Sequence, residues 1–364
     1  MKAIRVKLGN RSYHIYVGTN VIRKLRSVLN IKDKNTPVFV ISNKKILKYQ
    51  GKPLKKALKN LSSNITFHTV PDSETAKSFG IYRKAAARLS KKAKKTTPLV
   101  IAFGGGVVGD LTGFVASTYR RGVPYVQIPT TLLAQVDSAI GGKVALDIKE
   151  AKNIIGSFYQ PRAVFCDLAL LDSLPEKEIK NGLVEVIKYG VIKDPALFTI
   201  VEKNLGKILK RDRALLEFIV RRACAIKARV VEADEFDTRG VRAILNFGHT
   251  FGHAIEASAS YRKSVSHGEA VARGMVMASG MAMELGLLSK KDYNRIKLLV
   301  HRIKGKKGRA LNVKKLLASM AFDKKFTKGT NKFILPKKIG SVTVLEKVPE
   351  NFIKKAVEGG RYGR

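Results

Sequence analysis

Residues 98–110 read PLVIAFGGGVVGD. Leu99 to Phe103 is an apolar run of strand length, far too short for a membrane span. It runs straight into Gly104, Gly105 and Gly106, and the following residues read as the start of a helix. Glycines at such a junction let the backbone approach a pyrophosphate, and the helix N-terminus offers it positive partial charge. The spacing is not GxGxxG, so the usual dinucleotide fingerprint is not met and a plain turn is the alternative. Asp110 adds an acceptor where a ribose or a nicotinamide amide would be held.

The flanking segments set this junction in an alternating pattern. Upstream, AIRVKL and YHIYV read as a hairpin around Gly9-Asn10, PVFVIS as a buried strand, and the next stretch as a basic helix to Leu61. NITFHTV is a further strand, and Phe79, Tyr82, Ala86 and Leu89 lie at helical spacing between Thr75 and Lys94. Downstream, PYVQIP leads to Thr130-Thr131. This βαβα order predicts a mostly parallel sheet with helices on both faces. Beyond residue 175 helical periods dominate (175–190, 195–234, 242–259, 267–287, 289–303), until the strand-like tail FILPKKIGSVTVLEKV. The fold class is therefore α/β, with a nucleotide-binding domain over 1–170, an α-helical domain over 171–364, and a cleft expected where they dock.

The length of 364 residues and an apolar fraction of 45% suit a two-domain globular chain with a sizeable core. No membrane span or hydrophobic signal core is visible, and Cys166 and Cys224 show no metal or redox spacing, so reduced buried thiols in a cytoplasmic protein are expected. The net charge of +42 raises the question of nucleic acid. Its lysines are spread along the chain, in KKILKYQGKPLKKALKN, RLSKKAKK and KGKKGRALNVKK, and aromatics are 7% with no tryptophan. Neither a groove-binding helix nor a stacking platform is formed by such a pattern. Most of the charge reads as solvated surface, with a minority focused on an anionic small molecule.

Three of the six histidines fall between His249 and His267. His249 and His253 share one face of a helix, His267 opens the next, and Glu185 lies in the amphipathic run NGLVEVIKYG. Imidazoles with a carboxylate point to a metal centre or to proton transfer. Lys188, one turn from Glu185, is either its salt-bridge partner or a cation reaching substrate. In PTTLLAQVDSAIGGKVALDIKEAKNIIGSFYQP, Asp137, Lys143, Lys152 and Asn153 surround Gly141-Gly142, read as a flexible loop suited to a phosphate and its neighbouring hydroxyls.

Taken together, GGGVVGD, PTTLLAQVDSAIGGK, KNIIGSFYQP, LVEVIKYG, RAILNFGHTFGHAIE and HGEAVARGM resemble the 3-dehydroquinate synthase family. The likeness is collinear from YHIYVG to DKKFTKGTNKFILPKKIG. The resemblance implies an N-terminal Rossmann-like NAD domain, a helical metal domain and an active site between them. It assigns a divalent metal, zinc with cobalt as the alternative, to Glu185, His249 and His267, and leaves His253 to handle protons. By the same matching Glu74, Lys77, Gly105, Gly106, Asp110, Thr130 and Thr131 contact NAD, with Asp137, Lys143 and Lys152 beside it. Asp137, Lys143, Lys152, Asn153, Lys188, Lys227, Arg242, Asn246 and Lys325 surround a sugar-acid phosphate. Arg121 matches a residue that reaches a partner subunit, which implies a homodimer.

The implied reaction converts 3-deoxy-D-arabino-heptulosonate 7-phosphate to 3-dehydroquinate by transient oxidation, phosphate elimination, re-reduction, ring opening and internal aldol closure, in the route to aromatic amino acids. Departures from the family pattern include Asn43 for aspartate, Ser73 for glycine, Ser173 and Val144 for threonine, and Arg120 for methionine; they bear on NAD affinity. Sister cyclases acting on substrates without a carboxylate generally lose the carboxylate-binding pattern, so Lys227 and Arg242 favour the 3-dehydroquinate synthase reading. A metal-dependent polyol dehydrogenase would release NADH, and a basic RNA-binding relative would retain RNA without releasing phosphate.

Overall fold

The computed structural model describes residues 3–258, 265–304, 313–321 and 331–359. The chain divides into two compact units, Met1–Ile179 with Arg211–Phe236, and Lys180–Lys210 with Asp237–Arg364. The expectation had placed a single boundary near residue 170.

In the first unit the strands are β1 (Ile4–Val6), β2 (Tyr13–Gly18), β3 (Val38–Asn43), β4 (Ile65–Val70), β5 (Leu99–Gly104), β6 (Tyr125–Pro129), the pair β7 (Lys143–Leu146) and β8 (Ile155–Phe158), and β9 (Ala163–Asp167). Helices α1 (Leu25–Leu29), α2 (Lys44–Lys59), α3 (Phe79–Ala93) and α4 (Gly106–Thr118) alternate with them. The sheet order is β1-β2-β9-β6-β5-β3-β4, parallel except for the β1–β2 hairpin. Every residue of β3, β5, β6 and β9 is buried, as a sheet covered on both faces requires. One face packs Val38, Val40, Ile101 and Phe103 against α1 and α2 residues such as Leu25, Leu54 and Leu58. The other packs Phe39, Ile41 and Val100 against Leu89 of α3 and Leu111 and Val115 of α4. Each such side chain contributes about 1.5–3 kcal/mol by leaving water.

The connections reverse between β3 and β5: β3 leads outward to β4, and β5 leads the other way to β6. Such a switch point opens a crevice beyond the carboxyl ends of the two strands. Those ends are Asn43 and the glycines. Gly104 cannot be replaced there, because a Cβ would lie 2.6 Å from that of Val108.

The stretch read as a flexible loop is ordered differently. Residues Ala134–Ser138 form a single π-helical turn, and Lys143–Leu146 pairs antiparallel with Ile155–Phe158. The hairpin escapes a period-2 reading because Gly141-Gly142 and the lysines mask it. Cys166 and Cys224 are buried and unbridged, both within reach of the Gln135 carbonyl oxygen, at 3.5 and 3.3 Å.

Next come α5 (Glu176–Ile192), α6 (Pro195–Leu209), α7 (Arg213–Ala233), α8 (His249–Ser258), α9 (His267–Glu284), α10 (Lys290–Lys304), α11 (Val313–Ala321), the hairpin β10 (Lys332–Lys338) and β11 (Ser341–Glu346), and α12 (Glu350–Gly359). The expected helix over 195–234 is two. Arg211 takes a left-handed φ of 63°, and Asp212 starts α7 by accepting from the Leu215 amide at 3.0 Å. Helix α7 packs on β1, β2 and the π-helical turn of the first unit. The 242–259 period is likewise broken, into a 3-10 turn (Val241–Asn246) and α8, at Gly248 with φ 79°.

Within the second unit α8 and α9 pack backbone to backbone. A Cβ on Gly274 would lie 1.9 Å from the Gly248 carbonyl oxygen and 2.8 Å from the Gly252 amide nitrogen. Neither obstacle is a flexible side chain, so Gly274→Ala must part the helices. It should cost about 3 kcal/mol, read as a lower urea midpoint; an unchanged midpoint would contradict this packing.

Candidate metal centre and nucleotide crevice

In the second unit, α5 supplies Glu185 and Lys188, and the first residues of α8 and α9 are His249 and His267. The ligand atoms of Glu185, His249 and His267 all lie within 4.8 Å of one another. Glu185 Oε1 is 3.8 Å from His249 Nε2 and 3.9 Å from His267 Nε2. Two donors each about 2.1 Å from one ion lie no more than about 4.2 Å apart, so both spacings suit a shared cation. The Glu185 side chain is 1% exposed, and neither oxygen has a hydrogen-bond donor in proper geometry. The Lys188 ammonium, itself buried, pairs with Oε2. A buried carboxylate served this way is under-coordinated, and a divalent ion between it and the imidazoles would supply what is missing.

The imidazoles are prepared for that ion. His249 Nδ1 faces the Phe247 carbonyl oxygen at 3.3 Å, which leaves Nε2 pointing at Glu185. Burial first, then the Lys188 cation and the rings of His267 and His253, hold His249 well below the usual histidine range, in the neutral form that ligates metals. His267 Nδ1 lies 3.5 Å from Glu256 Oε1 on α8. His253 is exposed, with its ring 5.5 Å from that of His249 and edge-on to it. Arg242 is buried in the 3-10 turn, and Asn246 ends that turn partly covered. Lys325 lies outside the described residues.

In the first unit a cavity of about 440 Å³ occupies the switch-point crevice, lined by Asn43, Asp72, Gly105, Gly106, Thr130 and Thr131 among others. Asn43 caps α2, accepting from the Ile46 amide at 2.7 Å, and donates to Asp72 at 2.7 Å. The carboxylate at this edge is therefore Asp72, on the strand-end next to the one where the family pattern has it. Ser73 and Ser173 also line the cavity.

Glu74, Lys77 and Asp110 form a cluster of their own. Lys77, 2% exposed, lies 2.9 Å from Asp110, 3.5 Å from Glu74 and 3.6 Å from Asp147, and it donates to the Asn153 amide oxygen. Asn153, grouped by resemblance with the substrate residues, is thus tied to a residue grouped with NAD. Asp147 is a further member of this cluster; its Oδ1 accepts from the Asn153 backbone amide at 2.8 Å. In the sequence only its place beside the Lys152-Asn153 turn marks it. Lys227 of α7, almost buried, donates to the Asp137 carboxylate and carbonyl, both at 2.6 Å. Lys143 is exposed and lies over the Phe158 ring at 5.8 Å; Lys152 is exposed, as is Arg121 at φ 63° after α4.

Burial pushes the Asp110 carboxyl up to about 6, against the pull of Lys77. With its folded value above the unfolded one, Asp110 favours the fold fully below about pH 4, and that contribution is lost as pH rises through about 6. Lys77→Met removes the counter-charge, so it should cost about 3 kcal/mol at pH 8 and clearly less at pH 5. Urea unfolding at the two pH values checks this; equal losses at both would contradict it.

Comparisons with known proteins identify the family. Family models described as 3-dehydroquinate synthase N-terminal and 3-dehydroquinate synthase C-terminal match residues 67–181 and 182–326. A 3-dehydroquinate synthase of Desulforamulus reducens is 44% identical over 352 residues, covering 96% of this chain and 98% of that protein. Among solved structures, a 2-deoxy-scyllo-inosose synthase complexed with carbaglucose-6-phosphate, NAD+ and Co2+ superposes with a TM-score of 0.89 at 22% identity, over 99% of this chain and 100% of that one. A 2-epi-5-epi-valiolone synthase from Streptomyces hygroscopicus subsp. jinggangensis with NAD+ and Zn2+ gives 0.86 at 24%, over 99% and 98%. At those identities the two structures speak for the fold, while the full-length sequence match speaks for the family. This chain belongs to the 3-dehydroquinate synthase family.

Proposed function

We propose that this chain converts 3-deoxy-D-arabino-heptulosonate 7-phosphate to 3-dehydroquinate and inorganic phosphate, with NAD and one divalent metal as cofactors that emerge unchanged. The observation that carries the reading is the buried Glu185 carboxylate facing two imidazole Nε2 atoms, in a chain of this family. When bound, the metal supplies Lewis-acid polarisation of a substrate hydroxyl and NAD a reversible hydride acceptor.

Glu185, His249 and His267 hold the metal. Once Glu185 binds a divalent ion, Lys188 is no longer needed as its counter-charge and can turn its ammonium to an anionic substrate oxygen. In the first unit the N-terminus of α4 at Gly105-Gly106 takes the dinucleotide's pyrophosphate, and Thr130 and Thr131 line the same cavity. Asp110 and Glu74, held by Lys77, accept from the dinucleotide's hydroxyl and amide groups. Lys143, Lys152 and Asn246 bind the substrate phosphate, and Asn153 a neighbouring hydroxyl. Arg242 offers its planar fork to the substrate carboxylate; in the first unit Lys227, which Asp137 orients, is a further cation for the substrate. His253, the exposed imidazole beside His249, passes a proton between substrate and solvent. The substrate's own phosphate can serve as base, so holding a single conformer is the protein's larger task.

The same reading makes the assembly a homodimer in which Arg121 reaches the partner's site, and places the enzyme in the cytoplasm. Among the described residues no helix is long and apolar enough to cross a membrane.

Metal-loaded protein with NAD should release one phosphate per dehydroquinate formed, with no net NADH. Sedoheptulose 7-phosphate, which lacks the carboxylate, should react at least about 100-fold less efficiently, because it leaves buried Arg242 without its anion. Absence of phosphate release from the acid would overturn the reading. Arg242→Ala should lower kcat/KM by about 100-fold or more while metal content stays intact. A matching loss of metal would instead make Arg242 a support of the metal centre.

A further inference from the structure

The two imidazoles of the metal centre are not held alike. His249 is 12% exposed, and its Nδ1 faces the carbonyl oxygen of Phe247, a residue wholly buried. His267 is 39% exposed and stands at the very start of α9. Its backbone is secured: Ser266 caps α9 by accepting from the Glu269 amide at 3.3 Å, and donates its hydroxyl to Asn181 at 3.1 Å. Asn181 sits on α5 one turn before Glu185. These contacts hold the backbone at His267; which nitrogen the ring turns inward is set by the groups that meet the ring itself.

The group placed to fix it is Glu256. Its Oε1 lies 3.5 Å from His267 Nδ1, while Nε2 of the same ring faces Glu185 at 3.9 Å. Glu256 is seven residues beyond His249 on α8, so one helix face presents His249, His253 and Glu256 in succession. That helix thus supplies one ligand and a carboxylate aimed at the ligand of the next helix.

We propose that Glu256 is the positioning residue of the metal centre: by accepting the Nδ1 proton of His267 it presents Nε2 to the metal, and so sets metal affinity. The inference rests on the metal reading given above. Ligating histidines are generally oriented in this way, and loss of such a partner typically weakens metal binding by about 10–100-fold. The proposal adds an asymmetry. His249, oriented by backbone, needs no such side chain, whereas His267 depends on one.

The test uses full-length, metal-free protein titrated with Co2+ alone, without NAD or substrate, read by visible d–d absorption. Wild type should bind one equivalent, and His267→Ala should lose tight binding. Glu256→Ala should weaken Co2+ binding by about 10–100-fold and alter the absorption band, with the melting temperature of the metal-free protein unchanged. Glu256→Gln, which keeps an acceptor oxygen, should recover most of the affinity and the wild-type band. Should Glu256→Ala not fold, Glu256→Lys takes its place; it offers no acceptor, and binding as tight as in Glu256→Gln would overturn the proposal. Wild-type affinity in Glu256→Ala would overturn it while leaving the metal reading standing. Failure of the wild type to bind Co2+ would sink both.

Discussion

A carboxylate shut away from water with too few donors is the constraint around which the second unit is organised. Glu185 is buried on α5, and the only groups brought to it are a lysine and two imidazoles among the described residues. An uncompensated buried charge would cost several kcal/mol. The apolar residues around it on α5, such as Leu183, Val184, Val186 and Ile187, are buried too, so the helix cannot turn Glu185 outward without exposing them. Helices α8 and α9 must therefore start where their first residues reach that carboxylate. Gly248 and Gly274 allow the two helices to approach closely enough for both to do so. Packing that holds a buried carboxylate against two imidazoles, with one lysine as its counter-charge, is better satisfied once a divalent cation joins it.

The first unit meets its own constraint with strand ends and a buried lysine. Reversal of connections between β3 and β5 opens a crevice that no element among the described residues fills, and the glycines keep its floor free of side chains. Beside it Lys77 gathers Glu74, Asp110, Asp147 and Asn153, residues from three separate segments. Because Asn153 belongs to the turn that carries Lys152, the ammonium links residues assigned to the dinucleotide with the turn assigned to phosphate. The same ammonium thus touches both Asp110 and that turn directly.

Much of this could be read from sequence, for reasons that also mark the limit. Buried parallel strands are apolar throughout, so PVFVIS, PLVIAF and PYVQIP announce themselves, and the glycines after Phe103 point to the crevice. Helical periodicity found α5, α9 and α10 but could not see breaks made by backbone conformation, as at Arg211 and Gly248. Nor does an amphipathic stripe say what it packs against; α7 lies within the helical half of the sequence yet completes the first unit. The i, i+4 pair His249 and His253 looked like two ligands on one face. In the structure α8 begins at His249, so the first imidazole meets Glu185 and the second stands a turn away toward solvent. Glu256 lies at i+7 on that same face, and nothing in the sequence sets it apart from the acids that ordinarily cover a helix surface. The Lys77–Asn153 contact joins residues 76 apart, which no local pattern encodes.

The central claim is that Glu185, His249 and His267 form one divalent-metal centre. X-ray absorption at the zinc K-edge of the zinc-loaded protein tests it most directly. The account predicts a first shell of nitrogen and oxygen at about 2.0–2.2 Å, with the scattering of two imidazoles and no sulfur, falling to one imidazole in His267→Ala. A sulfur ligand, or a spectrum unchanged by that substitution, would contradict it.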